Sequence, residues 1–508
     1  MQASWLFDGE KQNENALTAA AKTDKIRMKL ENSVFFCHEN RMAEKRKERT
    51  MPFLKRFGAI KPKWKNALRA LLFCFALFIV FDHFQGIFVV DAARGTTNIR
   101  NYYKERPDSL DAVYLGGSNV HAFWQPVFGW DEYGIAVWNF SMDSMPHDAI
   151  KYYLIEARKK QPNALYLINL NVFKTNGKAP TDSAIHWAAD FLPLSLNKIR
   201  MLFDITGDME DPSEFFFPII RFHSRWDSLK PLALGASDVD YKSSIQYSPF
   251  ISKSEDQSSK YNIYEEKSEV PQTVLNVFYE LLEYIDANHV NVLFLEVPQV
   301  LSKQEGQRIN TLEAILKERG YPCLDLMDET FEIGLNPQTD FYNTLHTNVH
   351  GSIKFSDYLG RYLVENYHFS DKRGQAGWES WDKAAEGYMK YLSPWTLPFE
   401  RAYAKRSDLD IPKLNNLMIS GCDITVTWKE AKGADGYQIY RKSNSENGGY
   451  WHLIATVDMQ TLSFEDKGLR ASEQYTYTVV PFLADEENDF LYGSFNVLGV
   501  SGKTGGSK

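Results

Sequence analysis

The feature that most constrains this chain is an alternation running from Asp111 to Tyr367, in which short apolar runs are separated by amphipathic stretches. "DAVYLGG" predicts a buried strand. "DAIKYYLIEARKKQ" (Asp148–Gln161) predicts a helix with Ile150, Tyr153, Leu154 and Ala157 on one face. "ALYLINLNVF" is a second buried strand, and "VPQTVLNVFYELLEYIDANHV" a long helix running into the strand "NVLFLEVPQV". "INTLEAILKERG" is a helix ended by Gly320, "CLDLMD" a short strand, and "HGSIKFSDYLGRYLVENY" a last helix. A strand that is apolar on both faces needs cover on both, and intervening helices supply it. The pattern therefore dictates an α/β fold with a parallel sheet between helical layers. Thr181 to about Glu266 breaks the rhythm and reads as a long insertion rich in Phe, Trp, Ser and Asp.

At 508 residues the chain is too long for one ordinary domain. Residues 371–411 are polar and partly helical, a linker by composition. From 412 to 504 the pattern is all-β, with "ITVTWKE", "GYQIYRK", "WHLIATV", "LSFEDKG" and "YTYTVVPF" as short alternating strands between Gly- and Asn-rich turns. The net charge of -9 argues against nucleic acid as a partner. Cys37, Cys74, Cys323 and Cys422 fall in four different segments, which fits neither a disulfide scaffold nor a zinc cluster.

The charge is unevenly spread. Basic residues crowd Arg41 to Arg69, opposed only by Glu44 and Glu48, and an uncharged run, Ala70 to Phe81, follows directly. Asp82 and His83 interrupt it before "FQGIFVV" resumes to Val90. The window 66–90 is long enough for a membrane-spanning helix, and the basic flank (residues 1–65) then stays cytoplasmic with the rest outside. A secretory signal is the competing reading; the nearest cleavage signal is the weak "DAA" at Asp91–Ala93. Met42 or Met51 would give a more usual short basic leader than Met1, so translation is expected to start at one of them.

Two segments carry chemistry. The first strand stops at Gly116-Gly117-Ser118-Asn119. In an open parallel sheet ligands bind beyond the carboxyl ends of the strands. A serine at that point either exposes a reactive hydroxyl or merely caps the next helix, and this segment alone leaves both open. "TDFYNTLHTNVHGSIKF" (Thr339–Phe355) places His346 in a polar loop just before the last helix. A serine after the first strand and a histidine before the last helix meet on one edge of such a sheet, as a nucleophile and its base. His346 and His350 also have a zinc-ligand spacing, but no third ligand follows and no metal is expected. His121 reads as a helix-surface or pocket-wall residue, and Glu296, at a strand end, as a pocket or terminus residue.

Together these segments resemble the SGNH, or GDSL-like, hydrolase superfamily, in particular its membrane-anchored bacterial members coded near surface-polysaccharide genes. "SLDAVYLGGSN" is similar to the first block, whose nucleophile falls on Ser118. "EYGIAVWNFSMDSMP" is similar to the second, with Ser141 and Ser144 where an oxyanion glycine stands; the Ser141 N–H then becomes the donor. "LYLINLNVF" is similar to the third, whose oxyanion asparagine falls on Asn169 or Asn171. "NTLHTNVHG" is similar to the fifth, with His346 as base. The family's aspartate is Asn343 here, and Asp340, three residues earlier, is a substitute. The resemblance covers about residues 105 to 368 and implies a flavodoxin-like three-layer domain over 91–370. It also implies acyl transfer on oxygen, as esterase or O-acetyltransferase, on a cell-surface glycan and without a cofactor. The C-terminal β region resembles a fibronectin type III domain, with Tyr475 at the tyrosine-corner position, and as a spacer or docking module its partner is a surface protein or glycan. Two rival classes are a degenerate SGNH fold that serves as a glycan-binding or assembly partner, and an adhesion protein.

Overall fold

A computed structural model of the chain describes residues 62–85, 88, 96–207, 209–224, 254–328, 330–401, 406–446, 449–484 and 489–505. Most of the expected basic tail, with Met42, Met51 and Cys37, lies outside the described residues, as do "DAA" and the middle of the insertion.

Helix α1, Pro62–Gln85, is described by itself. Its 24 residues rise about 36 Å, and its Trp64–Phe81 stretch is long and apolar enough to cross a membrane, a test that a signal sequence also passes. Asp82 and His83 fall in its last turn. The described helix runs to Gln85, and Val90, the expected end of the window, lies outside the described residues.

The sheet that carries the site comprises β1 (Ala112–Gly116), β2 (Val137–Ser141), β3 (Leu165–Asn169), β4 (Val292–Glu296) and β5 (Cys323–Asp325). Their order is β2-β1-β3-β4-β5, and every pair is parallel. β2 was expected only as a family-like block. It is a strand because Val137, Trp138 and Phe140 supply the apolar runs both faces need. Successive strand residues serve opposite cores. Val113, Leu115, Tyr166, Ile168 and Phe294 pack on one face, and Tyr114, Leu165, Leu167, Leu293 and Leu295 on the other. The chain leaves β1 toward β2 on one side and β3 on the other, so the sheet's switch point opens beside β1, where a cleft forms.

Helix α2 (Ser118–Phe123) follows β1 at once and packs with α6 (Val349–Tyr367) on the second face, through Phe123 against Phe355. On the first face lie α3 (Ile150–Arg158), α4 (Gln272–Ala287) and α5 (Lys303–Arg319). α5 begins earlier than the expected "INTLEAILKERG", because Ser302 and Glu305 form a reciprocal capping box. The segment expected as a partly helical linker holds α7 (Glu379–Leu392) and also buries Trp378, Trp381 and Tyr388 in the same core; Trp130 packs 5.3 Å from both tryptophans. A small hairpin, β6 (Phe341–Asn343) and β7 (His346–Thr347), sets Asn343 opposite His346.

The C-terminal strands form two antiparallel sheets. One holds β8 (Met418–Ser420), β9 (Asp423–Thr427) and β12 (Ser463–Asp466). The other holds β10 (Gly436–Ser443), β11 (His452–Asp458), β13 (Gln474–Ala484), β14 (Phe490–Tyr492) and β15 (Val500–Lys503). Ile424, Val426, Trp428, Tyr437, Tyr475 and Val479 share one core between them. The Tyr475 hydroxyl accepts the Arg470 N–H at 3.0 Å.

Candidate active site

Why β1 ends on glycine is settled by crowding. A Cβ on Gly116 would lie 2.6 Å from the Asn169 Cβ and 2.7 Å from the Val120 Cγ2, so no other residue fits without movement. That close approach brings the turn against β3 and sends Ser118 to the head of α2. Ser118 Oγ stands 2.7 Å from His346 Nε2. The two residues are 228 positions apart in sequence and meet as the reading of the two segments expects.

Behind the imidazole is Asn343, whose Oδ1 accepts from His346 Nδ1 at 3.0 Å. The same oxygen accepts the N–H groups of Leu345 at 2.9 Å and His346 at 3.0 Å. Both backbone donors require oxygen, not NH₂, at that position, and this fixes the orientation of the amide. An acceptor facing Nδ1 puts the ring proton there and leaves the Nε2 lone pair toward the serine hydroxyl.

Asp340 does not take the place of Asn343. It is buried, with Oδ2 accepting from Lys354 Nζ at 2.7 Å and the Asn336 N–H at 2.8 Å, while Oδ1 accepts from Thr339 Oγ1 at 2.9 Å. Its charge already has a lysine partner, and its role is to brace the loop against α6. Gly351 lies so close that a Cβ there would be 2.4 Å from the Asp340 carbonyl.

The expected oxyanion residues separate in the same way. Ser141 is fully buried at the end of β2, with Oγ 3.1 Å from His121 Nδ1, and does not line the cleft. Ser144 does line it, at φ 51°, the left-handed region that glycine prefers. Its N–H takes part in no backbone–backbone hydrogen bond among the described residues. Asn169 is buried and caps the following turn, accepting the Asn171 N–H at 2.8 Å. Asn171 is the one that lines the cleft. Its Oδ1 accepts the Val297 N–H at 2.8 Å, and its Nδ2 has no partner among the described residues.

Three other residues lie away from the cleft, Glu296 as the strand terminus that was one of its two readings. His121 is not on a helix surface; it is buried between Ser141 Oγ and Asp143 Oδ1, the latter at 3.2 Å, and ties α2 to the turn that carries Ser144. His350 turns away from His346 and meets Glu400 Oε1 at 2.7 Å. Glu296 does not line the cleft but lies with Glu313 and Asp325, their carboxylate oxygens within 4.8 Å of one another. Burial, then repulsion from neighbouring carboxylates, which for Asp325 is Asp328, pushes Glu296 well above the usual carboxylate range, Glu313 up to about 7 and Asp325 up to about 6.

The cleft over Ser118 and His346 has a volume of about 640 Å³. Gly117, Asn119, Ser144 and Met145 line it near the serine, and Lys174 and Gln299, from the segments after β3 and β4, form a polar wall with Glu305 and Arg308 of α5. The sequence reading missed this wall. Gln299 follows the β4 strand end and was findable from the strand-end rule; Arg308 sits inside a helix pattern that carries no signal.

No protein-family model matches the sequence, and no curated protein matches it. Solved structures that match include an Fn3-like protein from Clostridium thermocellum, with 24% identity over 18% of this chain and 90% of that one, at a TM-score of 0.14. The structure described as FN3tt mut matches with 22% identity over 20% of this chain and 97% of that one, also at 0.14. A β-1,2-glucanase from Parabacteroides distasonis matches with 17% identity over 21% of this chain at 0.16, and this chain spans only 14% of its length. At these scores the matches are weak and carry no argument about activity.

Proposed function

We propose that the chain is a membrane-anchored, extracytoplasmic serine esterase or O-acyltransferase of the SGNH type, acting on acyl esters, acetyl above all, of a bacterial cell-surface glycan. The observation that carries the reading is the 2.7 Å approach of Ser118 Oγ to His346 Nε2 at the mouth of a polar cleft. In this mechanism Ser118 Oγ attacks the acyl carbon while its proton passes to Nε2. The N–H groups of Ser118 and Ser144 and the Asn171 amide hold the oxyanion that forms. Collapse expels the glycan hydroxyl, which takes the proton back from His346. Water then releases the acyl group from Ser118, or a second glycan hydroxyl accepts it. Asn343 holds the imidazole in the required tautomer but adds no charge to stabilise the imidazolium.

The C-terminal sheets are read as a fibronectin type III domain that docks a surface protein or glycan, supported by the shared Trp428–Tyr437 core and the Tyr475 hydroxyl bond. The α1 helix supports the anchor. The function is tested by release of acetate from acetylated glycans. Wild-type protein should release it and Ser118→Ala and His346→Ala should not; equal release by all three would end the proposal. If none releases it, the degenerate, glycan-binding reading, which Asn343 favours, takes over.

A further inference from the structure

We propose that the Lys174–Gln299–Arg308 wall of the cleft is an anion-binding subsite that takes the carboxylate or phosphate of a charged, acylated saccharide. The inference rests on the reading of the cleft as the ester site and names the substrate's chemical class. Its strongest support is Arg308. The residue lines the cleft yet is only 7% exposed. Its Nη1 donates to the Lys174 carbonyl at 3.3 Å, its Nε has no partner, and no carboxylate pairs with it among the described residues. A buried guanidinium without a counter-ion is costly, and native proteins pair such charges. The missing charge is therefore expected from a ligand.

The surrounding groups point the same way. Gln299 is 1% exposed; its Oε1 accepts from Lys174 Nζ at 3.1 Å, and its Nε2, itself buried, has no partner among the described residues. Lys174 is balanced by Glu305 at 3.6 Å, which leaves the Arg308 charge uncompensated. Unpartnered donors next to an uncompensated cation suit an anion, and the planar guanidinium fork suits a carboxylate or a phosphate. A neutral sugar would leave the charge unmet.

The test uses the full chain in detergent micelles, carrying Ser118→Ala so that no ester is consumed. Methyl glucuronide, glucose 6-phosphate and methyl glucoside are titrated by calorimetry. One anionic sugar should bind at least roughly tenfold more tightly than the neutral one. The stronger of the two anionic sugars identifies the group as carboxylate or phosphate. Arg308→Gln should abolish most of that preference. Should Arg308→Gln fail to fold, Lys174→Gln, checked by thermal melting, carries the test, because it removes the lysine that orients Gln299. Equal binding of neutral and anionic sugars, binding of none, or a preference unchanged in a folded variant overturns the subsite. Fluorophosphonate labelling of the wild-type chain reads Ser118 alone, so the two proposals fail separately.

Discussion

Asn343 Oδ1 meets His346 Nδ1 at 3.0 Å while two backbone N–H groups, of Leu345 and His346, hold the same oxygen in place. Where an amide replaces the aspartate of a serine-protease triad, the rate falls on the order of ten-thousandfold because the imidazole takes the wrong tautomer. Here the backbone donors prevent the flip that causes that loss. Asn343→Asp should raise kcat on p-nitrophenyl acetate several-fold by adding a charge behind the imidazolium. Asn343→Leu should lower it by roughly a hundredfold or more. Steady-state kinetics of the two variants check both signs.

Gly116 is fixed by the space around it. Gly116→Ala should destabilise the protein by roughly 1–3 kcal/mol, because its Cβ overlaps Asn169 and Val120, and should lower activity by displacing the Ser118 turn. Urea unfolding with parallel kinetics measures the two effects.

The Glu296–Glu313–Asp325 cluster makes stability depend on pH. Glu313 titrates at about 7 in the fold, raised by burial and by its acidic neighbours, against 4.5 for a free carboxyl. Between these values the folded state binds more protons than the unfolded one, so stability falls as pH rises through that window. Glu313→Gln should stabilise the protein at pH 8 by roughly 1–2 kcal/mol and change little at pH 4. Thermal melts across that range test the sign.

His350 and Glu400 join the start of α6 to the segment leading into the C-terminal sheets, where His350 also packs edge-on against Phe495. Burial alone would raise the Glu400 carboxyl, but His350 beside it holds it below the usual range. Its contribution is thus present above the ordinary carboxylate pKa and is lost as pH falls through the folded value. His350→Ala leaves the buried carboxylate with the Leu397 N–H and the Arg406 charge but without its imidazole partner, and should cost roughly 3 kcal/mol near neutral pH, and less in acid. Denaturant melts of the two proteins at two pH values give the comparison.

The parts of this molecule legible in sequence are those written locally. A strand ending in Gly-Gly-Ser and a histidine in a polar loop before a helix both follow from short-range pattern, and Ser118 and His346 do meet. β2 was harder to see because Asn139 and Ser141 interrupt its apolar residues. Asp340 misled because spacing alone cannot show that Lys354, fourteen residues on, has already claimed its charge. Ser144 was preferred by the backbone, through its positive φ, which no side-chain pattern reports. The Lys174–Gln299–Arg308 wall joins residues up to 134 positions apart, and only the strand order brings them together.

The central claim is that Ser118 is a nucleophile activated by His346. Fluorophosphonate labelling of the folded protein, wild type beside Ser118→Ala and His346→Ala, tests it most directly. The account predicts a single adduct on Ser118 in the wild type, none in Ser118→Ala, and labelling slowed by roughly a hundredfold or more in His346→Ala. A folded wild-type protein that does not label, or that labels equally in all three forms, would contradict it.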